Sequence, residues 1–214
     1  MSESKVAVVG AGSVGGNLGV RLSKSGVPVQ FGVRGDADTK ALLARCGKDA
    51  SAADTAAAVA WGDVVFLALP ANAAVEVAST LAKQLEGKVV VDCTNPLTWK
   101  DGPVWAPPKE GSNAAAIAAA APGARVVKGF NTFGAEFHLD PEHAGKPAAQ
   151  VFLAGDDAEA KKRVTAVATK AGYRVVDSGP LRNAAVLENV AMLWIHLAMV
   201  GGQGRDFVFA MQKK

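Results

Sequence analysis

Apolar residues along this chain come in short unbroken runs rather than in alternation with polar ones. KVAVVG (5–10), VPVQFGV (27–33), DVVFLALP (63–70), KVVVDC (88–93), ARVVKGF (124–130), AQVFLAG (149–155) and YRVVDSG (173–179) all have this form. A strand with one wet face alternates, whereas a strand of a parallel sheet covered on both sides is apolar on both faces. The runs therefore predict strands of a mostly parallel sheet. Between them, residues 14–25, 37–46, 71–85, 113–121 and 157–171 have the length and composition of the helices that parallel strands need as crossovers. A further strand is expected near Lys48–Ala50, where the apolar signal is weak. The fold class that follows is α/β, a Rossmann-type doubly wound sheet.

Two stretches depart from this rhythm. The segment NPLTWKDGPVWAPPKEGSN (95–113) is rich in Pro and Gly and reads as a loop, with Trp99 and Trp105 either covering a pocket or pinning the loop to the body. NAAAIAAAA reads as a tightly packed helix, since Ala is the best helix former. After Gly179-Pro180 a last helix, roughly 181–199, carries Leu187, Val190, Ala191, Trp194 and Leu197 at three- and four-residue spacings, an apolar face for docking on a neighbour.

Composition narrows the function classes. With 214 residues, 50% hydrophobic and 20% charged, the chain is long enough to bury a substantial core. Its net charge of +3 is spread along the chain, which gives nucleic-acid binding no support and suits a small anionic ligand better. MSESKVAVVG has no long apolar run before its glycines, and VAMLWIHLAMV, interrupted by His196, is too short to cross a bilayer, so neither export nor a membrane anchor is expected. Cys46 and Cys93 lack CxxC spacing, and His138, His143 and His196 make no ligand pattern with them; a reduced cytoplasmic protein without metal is the simplest expectation.

The strongest chemical signal follows the first strand, where Gly10-Ala11-Gly12-Ser13-Val14-Gly15 has the GxGxxG spacing and runs into a predicted helix. In such a turn the first glycine permits the sharp bend, the second lets a pyrophosphate approach the backbone, and the third brings helix and strand together. An Asp or Glu about 20 residues on would hold the ribose 2′-hydroxyl of NAD. Counting 19 positions from Gly15 gives Arg34 (34 − 15 = 19). A guanidinium there suits a 2′-phosphate, which an acid would repel, so Arg34 predicts NADP(H). The competing reading leaves Arg34 as a solvated loop residue and gives the ribose to Asp36 or Asp38; Lys40 lies close enough to add positive charge. Leu69-Pro70 and Asn95-Pro96 close two further strands at the edge where ligands of open parallel sheets lie. Asn95 fits a hydrogen bond to ribose or carboxamide, and Asn-Pro equally fits plain turn initiation.

Proton-transfer groups are harder to find. No lysine lies between Lys170 and Lys213, and only about one helix follows the last strand, so neither the lysine nor the large helical domain of a β-hydroxyacid dehydrogenase is present. His138, in AEFHLDPEH, suits either an acid or base or a polar loop residue, and His196 suits a core or interface position. Hydride transfer from nicotinamide to a flavin or deazaflavin needs two rings held face to face more than it needs an acid and a base.

The glycine loop, GVR, FLALP, TNPL, VVKGFNTFGAE, GDDAEAKKRV, VVDSGPLRNAAVLENVAMLWIHLA and GGQG, in this order over nearly the whole chain, resemble the coenzyme F420-dependent NADP oxidoreductase family, itself similar to the reductase domain of the STEAP metalloreductases. The resemblance implies an NADP-binding Rossmann domain (1–147), and a small C-terminal α/β part (148–214) forming the acceptor pocket, usually in a homodimer. It implies that Ser13, Val14 and Arg34 hold the phosphates, Leu69 and Pro70 pack near the cofactor, and Asn131 and Thr132 lie near nicotinamide. Phe133, Gly134 and the glycine turn Gly201-Gly202-Gln203-Gly204 would border the second ring. The chain departs from the archaeal pattern in spacing its loop GxGxxG and in placing Val33 before the arginine. The expected function is hydride transfer between NADPH and F420, FMN or FAD; the alternatives are reduction of a small imine or carbonyl, with His138 as proton donor, and a non-catalytic NADP(H)-binding sensor.

Overall fold

The computed structural model describes residues 4–35, 37–141, 148–212 and 214. The expected domain boundary at 147/148, His143 and Asp36 fall at or among residues outside this set. The first half of the chain forms β1 (Val6–Val9), α1 (Ser13–Lys24), β2 (Val29–Val33), α2 (Lys40–Leu43), β3 (Ala50–Asp54), α3 (Thr55–Trp61), β4 (Val64–Leu67), α4 (Ala71–Thr80), α5 (Ala82–Leu85) and β5 (Val89–Asp92). The second half forms β6 (Leu97–Trp99), β7 (Pro103–Trp105), α6 (Asn113–Ala120), β8 (Arg125–Lys128), β9 (Gln150–Leu153), α7 (Ala158–Lys170), β10 (Arg174–Asp177) and α8 (Ala184–Met199).

The main sheet has the order β3-β2-β1-β4-β5-β8 with every pairing parallel. Successive side chains of each strand enter opposite faces. Val6 and Val8 pack with Leu18 and Leu22 of α1 and Val164 of α7, while Ala7 and Val9 pack with Ala58 and Val59 of α3 and Ala74 of α4. Both faces are thus dry, which is why the strands read as unbroken apolar runs.

Four expectations need correction. The last two predicted strands do not join the main sheet: β9 and β10 pair in parallel with each other, tied to it by the bridge between Lys128 and Ala154. The weak strand expected near Lys48–Ala50 is β3, which begins at Ala50 and extends to Asp54, and α3 follows it directly with Asp54 Oδ1 accepting the Ala57 N–H at 2.9 Å. The helix expected over 37–46 is the single turn of α2. The segment 95–113 is not all loop, because β6 and β7 form an antiparallel hairpin around Asp101 (φ 51°) and Gly102 (φ 150°).

The hairpin is pinned rather than free. Trp105 Nε1 donates to Glu188 Oε2 at 3.0 Å, fixing β7 to α8, whereas Trp99 stays 56% exposed. The inner face of α8 buries Leu187, Ala191 and Trp194 against this same chain, and His196 is exposed on the outer surface rather than in a core. Beyond α8 the chain crosses back: Trp194 Nε1 donates to Phe207 O, and Gln150 exchanges two hydrogen bonds with the backbone of Met211.

Candidate functional site

The β1–α1 turn is shaped by contacts that only glycine permits. A Cβ on Gly10 (φ 102°) would lie 2.3 Å from Ala68 O, and one on Gly15 would lie 2.0 Å from Gly10 O. The turn therefore presses onto the end of β4. At Gly12 the opposite holds, since nothing lies within 4 Å of the Cβ position, and Ala11, Gly12 and Ser13 are exposed. The first turn of α1, including Ser13 and Val14, carries no acidic residue, and its N-cap Gly12 brings no side chain to the free N–H groups. Free N–H groups, dipole and open space together make an anion cradle.

Arg34 follows the last residue of β2 and is exposed. Asp38, its competitor for the ribose, already accepts the Lys40 N–H at 3.0 Å; Lys40 is exposed at the start of α2. On the other side of the turn, Leu69 is half-buried and Pro70 caps α4. Pro70, Asn95 and Pro96 line one cleft of about 840 Å³ between α4, α6 and the hairpin.

Asn95 and Asn131 lock the ends of β5 and β8 together. Asn95 Nδ2 donates to Asn131 O at 3.0 Å, and Asn131 Nδ2 donates to Asn95 Oδ1 at 2.9 Å and to Leu187 O at 3.1 Å. Phe130, just before, takes the left-handed conformation (φ 62°) with its ring buried against Phe66 and Tyr173, which turns the backbone sharply after β8. Such a backbone costs about 1–2 kcal/mol for a residue with a Cβ and clusters at functional sites. Asn131 Oδ1 is buried and has no partner. An orphaned acceptor beside the strand ends fits a ligand amide or hydroxyl. The glycine cradle, Arg34 and this acceptor fit the pyrophosphate, the 2′-phosphate and a polar group of NADP(H) in chain order.

Thr132 and Phe133 are buried, and the Phe133 ring packs on Phe137, His138 and Tyr173. Gly134 faces Trp194, whose ring would stand 2.8 Å from a Cβ there. Arg205, which follows the exposed turn Gly201–Gly204, clasps Glu136 at 2.7 and 3.1 Å and lies over Trp194. Gly134 and the chain just beyond Gly202, Gln203 and Gly204 thus meet at Trp194. The Arg205 guanidinium holds the Glu136 carboxyl below its ordinary range.

Sequence reasoning missed the polar centre of this region. Lys128, Asp92 and Glu188 are fully buried, with Lys128 Nζ 2.8 Å from Asp92 Oδ2 and 3.4 Å from Glu188 Oε1. Asn113 extends the network, donating through Nδ2 to Thr94 Oγ1 at 2.6 Å and to Ala71 O at 3.1 Å. The available signal was a charged residue, Asp92 or Lys128, directly after a run of valines in each of two strands, because a buried charge must find a partner.

His138 is not the accessible loop residue or acid expected for it. It lies in a short 3-10 turn, fully enclosed among aromatic rings, with Nδ1 2.9 Å from the Tyr173 hydroxyl and Nε2 unpartnered. Burial lowers its pKa from the usual 6.5 to about 3 and raises that of Tyr173 above the normal tyrosine range. Among the described residues no group of His, Cys, Asp and Glu is arranged to hold a metal, and no helix is long and apolar enough to cross a membrane.

The sequence profile of the family described as NADP oxidoreductase, coenzyme F420-dependent, matches residues 5–96. The F420-dependent NADP reductase of Methanothermobacter marburgensis is 30% identical over 212 residues, covering 90% of this chain and 92% of that one. This chain belongs to the F420-dependent NADP oxidoreductase family. Metalloreductase STEAP3 of Rattus norvegicus is 32% identical over 189 residues, 88% of this chain, but the chain spans only 36% of that relative's length. A crystal structure from Arthrobacter sp. FB24, provisionally assigned as an F420-dependent NADP-reductase, superposes with a TM-score of 0.85 at 28% identity, covering 98% of this chain and 100% of that one. The doubly wound fold, the family and an NADP-dependent oxidoreductase are thus all borne out.

His138 sets a pH dependence. Its unfolded form takes up a proton near pH 6.5 while the folded form resists protonation down to about 3, so stability is full above that window and falls as pH is lowered through it. Urea unfolding should show wild type losing up to about 1.4 kcal/mol per pH unit more than His138→Gln between pH 6 and 4. Parallel curves for the two proteins would show that His138 is not the responsible group.

Proposed function

We propose that this NADP-dependent enzyme passes hydride between NADPH and a planar ring acceptor, the deazaflavin F420 or a flavin (FMN or FAD). The observation that carries this reading is the pairing of Arg34 with the glycine cradle at one end of the sheet edge and the orphaned Asn131 Oδ1 at the other. Bound NADPH supplies the hydride. The chain's own groups bind and orient. Gly10, Gly12, Ser13, Val14 and Gly15 hold the pyrophosphate through backbone N–H groups, and Arg34 takes the 2′-phosphate. Leu69, Pro70, Asn95 and Pro96 border the middle of the cofactor, and Asn131 and Thr132 lie beside its nicotinamide. Gly134 and the turn Gly202-Gln203-Gly204 offer backbone to the acceptor, with Phe133 as the buried wall behind them, so that residues 148–214 complete the acceptor pocket.

Reduction of a small imine or carbonyl would need a proton donor at the nicotinamide, and the enclosed, neutral His138 does not supply one. A purely sensory role leaves the acceptor-side residues without a purpose in a family whose relatives are named as reductases. The free thiols Cys46 and Cys93 suit a reducing compartment such as the cytoplasm.

The Arg34 reading is tested by steady-state assays of NADPH oxidation with F420, FMN and FAD offered separately. Arg34→Ala should raise KM for NADPH at least about ten-fold and leave NADH kinetics little changed, since charge-assisted hydrogen bonds to phosphate contribute about 1.5–3 kcal/mol. Equal effects on both nucleotides would remove Arg34 as the selector.

The chain is also proposed to work as a homodimer. The outer face of α8 leaves Val186, Leu193, Met199 and Val200 exposed, and the adjoining hairpin leaves Trp99 and Val104 exposed. Analytical ultracentrifugation should find a dimer in wild type and a monomer in Leu193→Asp. A monomeric wild type would rule this assembly out.

A further inference from the structure

The buried Asp92–Lys128–Glu188 cluster has no role in the hydride transfer described above, yet its charge does not balance. Lys128 Nζ lies 2.8 Å from Asp92 Oδ2 and 3.4 Å from Glu188 Oε1, and donates to Thr94 O. The other bonds of the two carboxyl groups all come from donors. Asp92 Oδ1 accepts the Thr94 N–H at 2.9 Å, Glu188 Oε1 the Asn113 N–H at 2.9 Å, and Glu188 Oε2 the Trp105 Nε1–H at 3.0 Å. Every bond that the two carboxyl groups make is thus one in which they accept, the role of a carboxylate. Two carboxylates and one ammonium leave one surplus negative charge, with no second cation bonded to them among the described residues. A single ion pair would satisfy Lys128, and enclosing a further charge costs stability.

The cluster is joined to the Asn95–Asn131 pair through neighbouring residues. Thr94 adjoins Asn95, and Leu187, beside Glu188, accepts from Asn131 Nδ2 at 3.1 Å. Asn131 Oδ1 is buried there without a partner. With the adenosine half held at β2 by Arg34, the sheet topology sends the nicotinamide half towards β4, β5 and β8; this step rests on the function proposed above.

We propose that the surplus negative charge of Asp92, Lys128 and Glu188 stabilises the cationic ring of NADP⁺ over the neutral ring of NADPH, making bound NADPH a stronger hydride donor. A nicotinamide held there would gain a positive charge on giving up its hydride, a change that the cluster's charge would favour; the acceptor would gain the hydride and take its proton from water. The three residues act on the equilibrium through the field they set up, without touching the reacting atoms. They also position Asn95 and Asn131, and the two roles are separable by experiment.

Calorimetric titration of wild type, Glu188→Gln, Asp92→Asn and Trp105→Phe with NADP⁺ and NADPH separately, at matched salt, tests this. Removal of either carboxylate should raise the ratio of the NADP⁺ Kd to the NADPH Kd about five-fold, the scale of a unit charge acting through a partly screened interior. Trp105→Phe removes a donor but no charge, and should leave the ratio unchanged. Equal weakening of both forms in the carboxylate variants would overturn the inference and leave the cluster a scaffold only. If neither variant folds, wild type decides: NADP⁺ binding no weaker than NADPH supports the proposal, and a preference for NADPH overturns it. A wild-type protein that binds neither form removes the nicotinamide assignment and the inference together.

Discussion

The enclosed ammonium of Lys128 is the constraint around which this end of the molecule is arranged. A buried lysine survives only where carboxylates and carbonyls surround it, and here those partners come from segments far apart in the chain: Asp92 at the end of β5 with Thr94 just beyond it, and Glu188 on α8. Glu188 in turn receives Trp105 of the hairpin and the backbone of Asn113 at the start of α6. One cation thus gathers the hairpin, two helices and two strand ends. Breaking such a network by removing one partner typically costs about 3–5 kcal/mol.

The same arrangement accounts for both ends of the proposed cofactor site. The phosphate end needs little beyond the sterics of two glycines and the dipole of α1, because Gly10 and Gly15 bring the turn hard against β4 and leave Gly12 open. In the proposed site the far end needs side chains, and Asn95 and Asn131 would serve there only while fixed. Their reciprocal bonds, the left-handed Phe130 and the cluster behind them supply that fixation. The aromatic group of Phe130, Phe133, Phe137, His138 and Tyr173 then closes the core beneath the acceptor side.

Much of this was legible in local sequence, for reasons that also mark its limit. Strands buried on both faces announce themselves as apolar runs, and a glycine turn between a strand and a helix carries its own geometry, so the sheet and the glycine turn were both readable. The stretch from Ala50 to Trp61 was not, because alanine-rich β3 and α3 offer no contrast of period; only the cap at Asp54 marks the change. The hairpin was obscured by its proline and glycine content, its partner Glu188 being distant in sequence. His138 looked like a loop residue; Phe130 and Phe133, which pack on it, precede it closely in the sequence, but the ring of Tyr173 that completes its enclosure comes from a distant segment. Lys128 and Asp92 were visible as charges ending apolar strands, but which charges pair across such separations is a property of the fold.

The most direct test of the account is an anaerobic single turnover with NADPH deuterated at the transferring position and oxidised F420 or FMN as acceptor. The reduced-nicotinamide band and the acceptor band should bleach together, in equal amounts, and more slowly with the deuterated ring than with the ordinary one. Tight NADPH binding with no bleaching of either acceptor would contradict it.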